Sequence, residues 1–527
     1  MLNFKKLIMR KYIILLVSVT ILGFWGCDNG FEGMNKNPYG VTKISPALLF
    51  ANAVRTTHTG SWEGEQTIVQ QFLNAYDLGA TSGFNFNLDN NNFNNLKWNA
   101  NYENTIKLLV QAITLAKEEP QTNVNLMSMM RIWKAYVFMT LVDTYGDVPY
   151  YAAGGAYIEQ NFFPVYDDDE EIYEDLYREL TAASNALDPA GSYVPEDLFY
   201  GFSSATPAVT ADVQAGKWKK LANSLLLRLG MRYSKINFGK AKDIVAEAVN
   251  AGVMETNADD AYLRFTTVYP NQLNQGPRTI NPRYYYLAEP FVDQLKSTND
   301  PRAKYIWGKY AEPNDAPNAT PDVSPANQVG FPVGYNQNTI AEHPDFQGTA
   351  GQGFNYSQIN FSVVGSAIAP IFFVTNAQTK LLMAEAAHLG WIDGSAQQYY
   401  EEGVRASMDE WSLYPNTPDV AITPEEQDDY LALPEVAFNT NDALELINTQ
   451  YWIANVANGA EAFANFRRSG FPMLTPNAAN GGLGGGGFAR RMAYPDDESS
   501  ENETSYQAAA LAIGGDNLTT RVFWDNP

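Results

Sequence analysis

From Pro46 onward the apolar residues of this chain recur at helical spacing, a periodicity that leaves little room for any other class of fold. Over 171–187, Ile172, Leu176, Leu180, Ala183 and Leu187 follow at steps of four, four, three and four, so they share one helical face. Residues 218–233 repeat the pattern with Trp218, Leu221, Leu225, Leu229 and Tyr233. Residues 126–142 are apolar on nearly every side (Leu126, Met130, Trp133, Tyr136, Val137, Leu141), which predicts a helix buried all round. Asp168 with Glu171 three residues later predicts a capping box. Further helices are predicted over 102–118, 240–251, 378–389, 395–413 and 442–467. Such helices, paired through short connections, predict a mainly α protein built as a stack of helical hairpins. No repeat is strict enough to establish a tetratricopeptide array by itself.

Long irregular stretches separate the helices. Residues 85–104 hold ten Asn in twenty positions, with Phe86, Phe93, Trp98 and Tyr102 among them. Residues 266–375 are rich in Pro, Asn and Tyr, and 481–487 read Gly-Gly-Leu-Gly-Gly-Gly-Gly. Loops of this length in a compact protein are functional or disordered, and the aromatic content of these argues for order.

Charge and composition narrow the function. With 59 acidic residues against 35 Lys plus Arg, the 527-residue chain carries a formal charge of −24 and would repel nucleic acid, whose phosphates need clustered cations. Docking on an anionic membrane surface is disfavoured for the same reason. A chain this long buries a large core without disulfides or metals. Its one cysteine, Cys27, rules out an internal disulfide and a multi-cysteine zinc site, and His58, His343 and His388 are isolated. No GxxxxGK[ST] loop occurs, no GxGxxG follows a strand, and Gly201-Phe202-Ser203-Ser204-Ala205 lacks the closing Gly of a nucleophile elbow. The two carboxylates of a glycosidase could hide among 59 acids. The densest acid cluster, Asp167 to Glu171, falls at a predicted helix start, where acids favour the dipole. No enzyme, cofactor or metal reading gains positive support. The 31 Tyr, 28 Phe and 10 Trp, with abundant Asn and Gln, suit a neutral polar ligand.

The first residues form an address. Lys5, Lys6, Arg10 and Lys11 precede an apolar run from Tyr12 to Trp25, too short for a bilayer span, then Gly26 and Cys27. Cys27 at the end of that run resembles a lipobox, although Phe24 and Trp25 are bulkier than usual there. The expected organisation is a lipoprotein signal over 1–26, a lipid-anchored tether over 27–45 and one ligand-binding domain over 46–527. Met9-Arg10-Lys11 with the same run is a complete signal too, so Met9 is an alternative start.

Five stretches together resemble the SusD/RagB family of nutrient-binding outer-membrane lipoproteins of Bacteroidetes. They are Met34-Asn35-Lys36-Asn37-Pro38 with Pro46-Ala47-Leu48-Leu49; Tyr136-Val137-Phe138 with Asp143-Thr144-Tyr145-Gly146-Asp147-Val148-Pro149-Tyr150; and Leu381-Leu382-Met383-Ala384-Glu385-Ala386 with Tyr400 and Gly403-Val404-Arg405-Ala406-Ser407. The last two are Phe466-Arg467-Arg468-Ser469-Gly470-Phe471-Pro472, and Arg490-Arg491-Met492-Ala493-Tyr494-Pro495 with Val522-Phe523-Trp524-Asp525. The resemblance implies an α-α superhelix with four tetratricopeptide-like hairpins and long irregular loops packed on one side. It also implies a lid over a SusC-like TonB-dependent transporter at the outer membrane, facing outside, capturing oligosaccharide or peptide without cofactor or chemistry. Physically, Gly146 can take positive φ to stop the buried helix, and Pro149 prevents its resumption. The Arg-Arg pairs are expected against buried carboxylates, Glu385 among them, as scaffold.

No family motif transfers ligand contacts, so candidates come from rings in polar loops, where an aromatic face can stack on a sugar and amides can take its hydroxyls. These are Trp62; Tyr76 with Asn74; Trp98 with Asn101; Tyr284 and Tyr285 in the run after Pro282; and Trp307. The leading expectation is oligosaccharide capture. Rivals are peptide capture, a surface glycan hydrolase and a purely structural lipoprotein.

Overall fold

The stretch that is apolar all round folds as a 22-residue helix, Val124–Tyr145, with nearly every residue buried. The structure, a computed structural model, describes residues 44–59, 62–76, 88–201, 209–478, 483 and 487–526. The predicted signal, Cys27 and most of the predicted tether lie outside the described residues. From Pro46 onward the chain forms one compact unit. Its main helices are α1 (Pro46–Thr56), α2 (Glu65–Ile68), α3 (Asn91–Asn99), α4 (Lys107–Lys117), α5 (Val124–Tyr145), α6 (Asp169–Ala186) and α7 (Ala211–Arg232). They continue with α8 (Phe238–Ala251), α9 (Glu289–Ser297), α10 (Asn376–His388), α11 (Ala396–Asp409), α12 (Ala443–Ala454) and α13 (Gly459–Ser469). Among the described residues no helix is long and apolar enough to cross a membrane.

Helix α5 packs on α6, α6 on α7 and α7 on α8, while α10 packs on α11 and α12, and α12 on α13. The fold is therefore mainly α, a stack of tetratricopeptide-like hairpins. Local chemistry sets the ends. Asp168 caps α6 by accepting the Glu170 and Glu171 N–H groups, both at 3.0 Å. Gly146 ends α5 at φ +78°, a conformation that a Cβ would strain.

Two expectations change. The Asn-rich stretch is helical from Asn91, and a π-helical turn over Ala100–Ile106 leads into α4. Asn90 caps α3 through the Asn92 N–H at 3.0 Å, so part of the Asn signal is a helix start. The helix predicted over 442–467 is two, because Asn455 to Asn458 break it. Asn458 caps α13 through Glu461 N–H and donates to the Phe372 and Phe373 carbonyls, which satisfies the break inside the core.

Residues 266–375 are ordered by short antiparallel ladders. Of the strands, β1 (Phe72–Asn74) pairs with β3 (Tyr285–Leu287), β2 (Ala261–Leu263) with β8 (Ile371–Val374), β4 (Trp307–Gly308) with β7 (Gln358–Ile359), and β5 (Thr349–Ala350) with β6 (Gly353–Phe354). The β1–β3 register is Phe72↔Leu287, Leu73↔Tyr286 and Asn74↔Tyr285. A minor core of Leu73, Ala75, Tyr286, Ala288, Phe331, Ile340 and Tyr356 forms beside this ladder.

Candidate functional site

The β1–β3 ladder brings Asn74, Tyr76, Tyr284 and Tyr285 together. Ala75 N–H donates to Tyr284 O at 2.7 Å, which extends the ladder by one step. Beyond it the partly buried rings of Tyr76 and Tyr284 meet with centroids 4.8 Å apart and planes tilted by 39°. Asn74 Oδ1 accepts the Tyr76 backbone N–H at 2.9 Å, and Asn74 Nδ2 donates to Glu63. The Tyr285 hydroxyl also bonds Glu63. Burial pushes the Glu63 carboxyl up, and the hydrogen bonds from Asn74 and Tyr285 only partly offset that. Burial, with the Glu63 charge beside it, pushes the Tyr285 hydroxyl up as well. The Arg283 guanidinium lies over the Tyr284 ring, 4.8 Å from its centroid. Two tilted rings flanked by amide, carboxyl and guanidinium can stack on the C–H face of a sugar and bond its hydroxyls. Sequence reasoning missed Glu63 and Arg283, although each adjoins a residue it singled out.

The other candidates do not join this group. Trp62, 1% exposed, donates its indole N–H to Asn274 Oδ1 at 2.8 Å and packs on Phe72. Trp98 sits on α3 rather than in a loop and is 4% exposed, ringed by Tyr102, Tyr145, Tyr166 and Tyr494. It also lines a cleft of about 340 Å³ shared with Tyr157 and Phe162. Asn101 is buried and exchanges two 3.0 Å hydrogen bonds with the His58 backbone. Trp307 lies in β4, 1% exposed, its indole N–H bonded to Val323 O at 3.0 Å. Tyr285 itself is buried and supports the site through Glu63. Trp62, Asn101, Trp307 and Tyr285 give their polar side-chain atoms to protein partners, and the Trp62, Trp98 and Tyr285 rings pack on other rings, so polar sequence neighbours did not mean a wet ring.

The Arg-Arg segments are scaffold, with one difference. Arg468 binds buried Glu385 through both oxygens at 2.6 and 2.7 Å, Arg490 pairs with Asp525 and Arg491 with Asp516. Arg467 takes carbonyls instead, those of Asp143 and Arg490, and lies over the Phe463 and Trp524 rings. Its burial lowers its pKa to about 10 despite the nearby Asp525 and Asp143 charges.

For metal binding, Asp147, Asp168 and Asp169 are the one group of three or more His, Cys, Asp or Glu among the described residues whose ligand atoms come within 4.8 Å of one another. Each carboxylate already accepts a backbone N–H at the start of α6 or from Phe523. Burial raises Asp147 to about 6 and, with the Asp147 charge adding to it, Asp169 to about 7. That is the behaviour of a packed helix start.

A family model, SusD-like, described as starch-binding associating with outer membrane, matches residues 38–495. No curated protein matches. Similar solved structures include a chitin-binding protein, 27% identical with a TM-score of 0.74 over 92% of this chain and 100% of its own. The Bacteroidetes AC2a SusD-like protein is 25% identical, with a TM-score of 0.74 over 92% of this chain and 100% of its own. A SusD homologue from Bacteroides uniformis ATCC 8492 is 25% identical, with a TM-score of 0.71 over 91% of this chain and 99% of its own.

Proposed function

The chain belongs to the SusD-like family, and from that premise we propose that it is a non-enzymatic capture protein that holds oligosaccharide on the Tyr76–Tyr284 pair. The observation that carries the reading is the pair itself: two rings 4.8 Å apart on the loop side, left partly open where five other candidates are packed away. The chitin-binding neighbour supports a glycan over a peptide. In this reading Cys27 carries lipid, the body faces outward from the outer membrane, and bound sugar passes to a SusC-like TonB-dependent transporter. The transporter then supplies the second wall of the site, which raises the effective affinity of weak contacts.

Affinity electrophoresis and calorimetry with a panel of polysaccharides and oligosaccharides test the proposal. Tyr76→Ala and Tyr284→Ala should each weaken binding by roughly 2- to 13-fold, the equivalent of ~0.5–1.5 kcal/mol for an aromatic contact. Retention of a polymer that neither variant changes would remove the site assignment. Binding of peptides and of no glycan would replace the ligand class.

A further inference from the structure

Arg283 differs from every other described arginine. The guanidinium of each of the others donates to a carboxylate, an amide oxygen, a hydroxyl or a carbonyl. The Arg283 guanidinium has no acceptor among the described residues, and its Nε is buried without a partner. What holds the side chain is the face of Tyr284 beneath it, with the Arg283 carbonyl fixed by the Tyr286 hydroxyl at 2.6 Å. Leaving charged donors unpaired in a partly desolvated place is costly, more so than for neutral groups. An arginine kept this way presents a planar fork of N–H donors beside two sugar-stacking rings.

We propose that Arg283 sets the ligand class of this site: sugars that carry a planar oxygen acceptor beside the ring, an acetamido carbonyl or a uronate carboxylate. The inference rests on the reading of the Tyr76–Tyr284 pair as a glycan site. Neutral sugar hydroxyls use single N–H groups, whereas a planar acceptor engages the guanidinium in its own plane. Between the two sources the net charge of −24 works against a polyanion, so the acetamido group is the one expected.

Calorimetry on the purified chain with chitohexaose, hexagalacturonate and cellohexaose decides the matter, with melting curves to confirm that variants fold. Chitohexaose should bind about tenfold tighter than cellohexaose, in line with a hydrogen bond to a charged group. In Arg283→Gln that ratio should fall to within twofold. Arg283→Lys, which keeps the charge but loses the planar fork, should lose most of the ratio too. A preference for hexagalacturonate that collapses with added salt and with Arg283→Gln would support the inference with the carboxylate as source. Equal affinity for chitohexaose and cellohexaose, unchanged in Arg283→Gln, would overturn the inference and leave glycan capture standing. Affinity for any of these sugars that Tyr284→Ala does not alter, or no affinity for any of them, would overturn the underlying site reading instead.

Discussion

In a Glu385→Gln variant the Arg468 guanidinium would stay in place, buried and opposite an amide. Glu385 receives the Arg468 terminal nitrogens at 2.6 and 2.7 Å and the Asn448 amide at 3.2 Å, and both partners of the ion pair are almost wholly buried. The substitution keeps volume and shape, so the cost comes from an uncompensated buried charge, about 3–5 kcal/mol. Unfolding entropy near 2.1 cal/mol/K per residue, over a body of about 480 residues, amounts to ~1 kcal/mol/K. The melting temperature should therefore fall by about 3–5 °C in calorimetry at pH 7. Burial alone would raise the Glu385 carboxyl, but the Arg468 charge and hydrogen bonds outweigh it and hold the group below its ordinary range. Stability from this pair is thus fully present above the unfolded carboxyl pKa and is lost as pH falls through the lower folded value. The gap between wild type and variant should persist from pH 8 to about 4.3 and close only below that. The double replacement Glu385→Leu with Arg468→Met leaves no lone charge and should cost less than half as much as the single change. A single variant melting within 1 °C of wild type, or a double variant worse than the single, would refute the argument.

Two more outcomes follow from the site and its frame. Asp169, held up to about 7 by burial and then by Asp147, contributes stability that is full below the unfolded carboxyl pKa and is lost as pH rises through its folded value. Asp169→Asn keeps an oxygen for the Phe523 N–H, so it should melt higher than wild type at pH 8 and no higher at pH 4.5; a pH-independent difference would contradict this. Trp98→Ala should destabilise by ~3–5 kcal/mol in urea unfolding and leave sugar affinity as it was, the reverse of Tyr284→Ala.

The helices were legible because burial imposes a period that a sequence displays: Ile172, Leu176 and Leu180 must share a face to be covered together, and all three are fully buried. The stop at Gly146 and the pairing of Arg468 with Glu385 were legible for similar reasons, one from backbone sterics and the other from the demand of a buried charge for a partner. Two local misreadings, the start of α3 within the Asn-rich stretch and the break between α12 and α13, share a cause. Asn serves caps, breaks and loops alike, and only its eventual hydrogen-bond partner says which.

The candidate site was half legible. Tyr76 and Tyr284 lie far apart in the chain, and each was visible as a ring in a polar context, but so were Trp62, Trp98 and Trp307. Whether a ring is wet depends on what the rest of the chain lays against it, a long-range fact that neighbours in sequence do not carry. The β1–β3 register decided that Tyr76 and Tyr284 should meet, and an acceptor-free place over Tyr284 decided that Arg283 should stand unpaired. Periodicity and charge thus determined a helical, acidic protein that disfavours polyanions, since they act residue by residue along the chain. Which rings stay partly open was decided by tertiary contacts, since exposure and pairing are properties of the assembled surface.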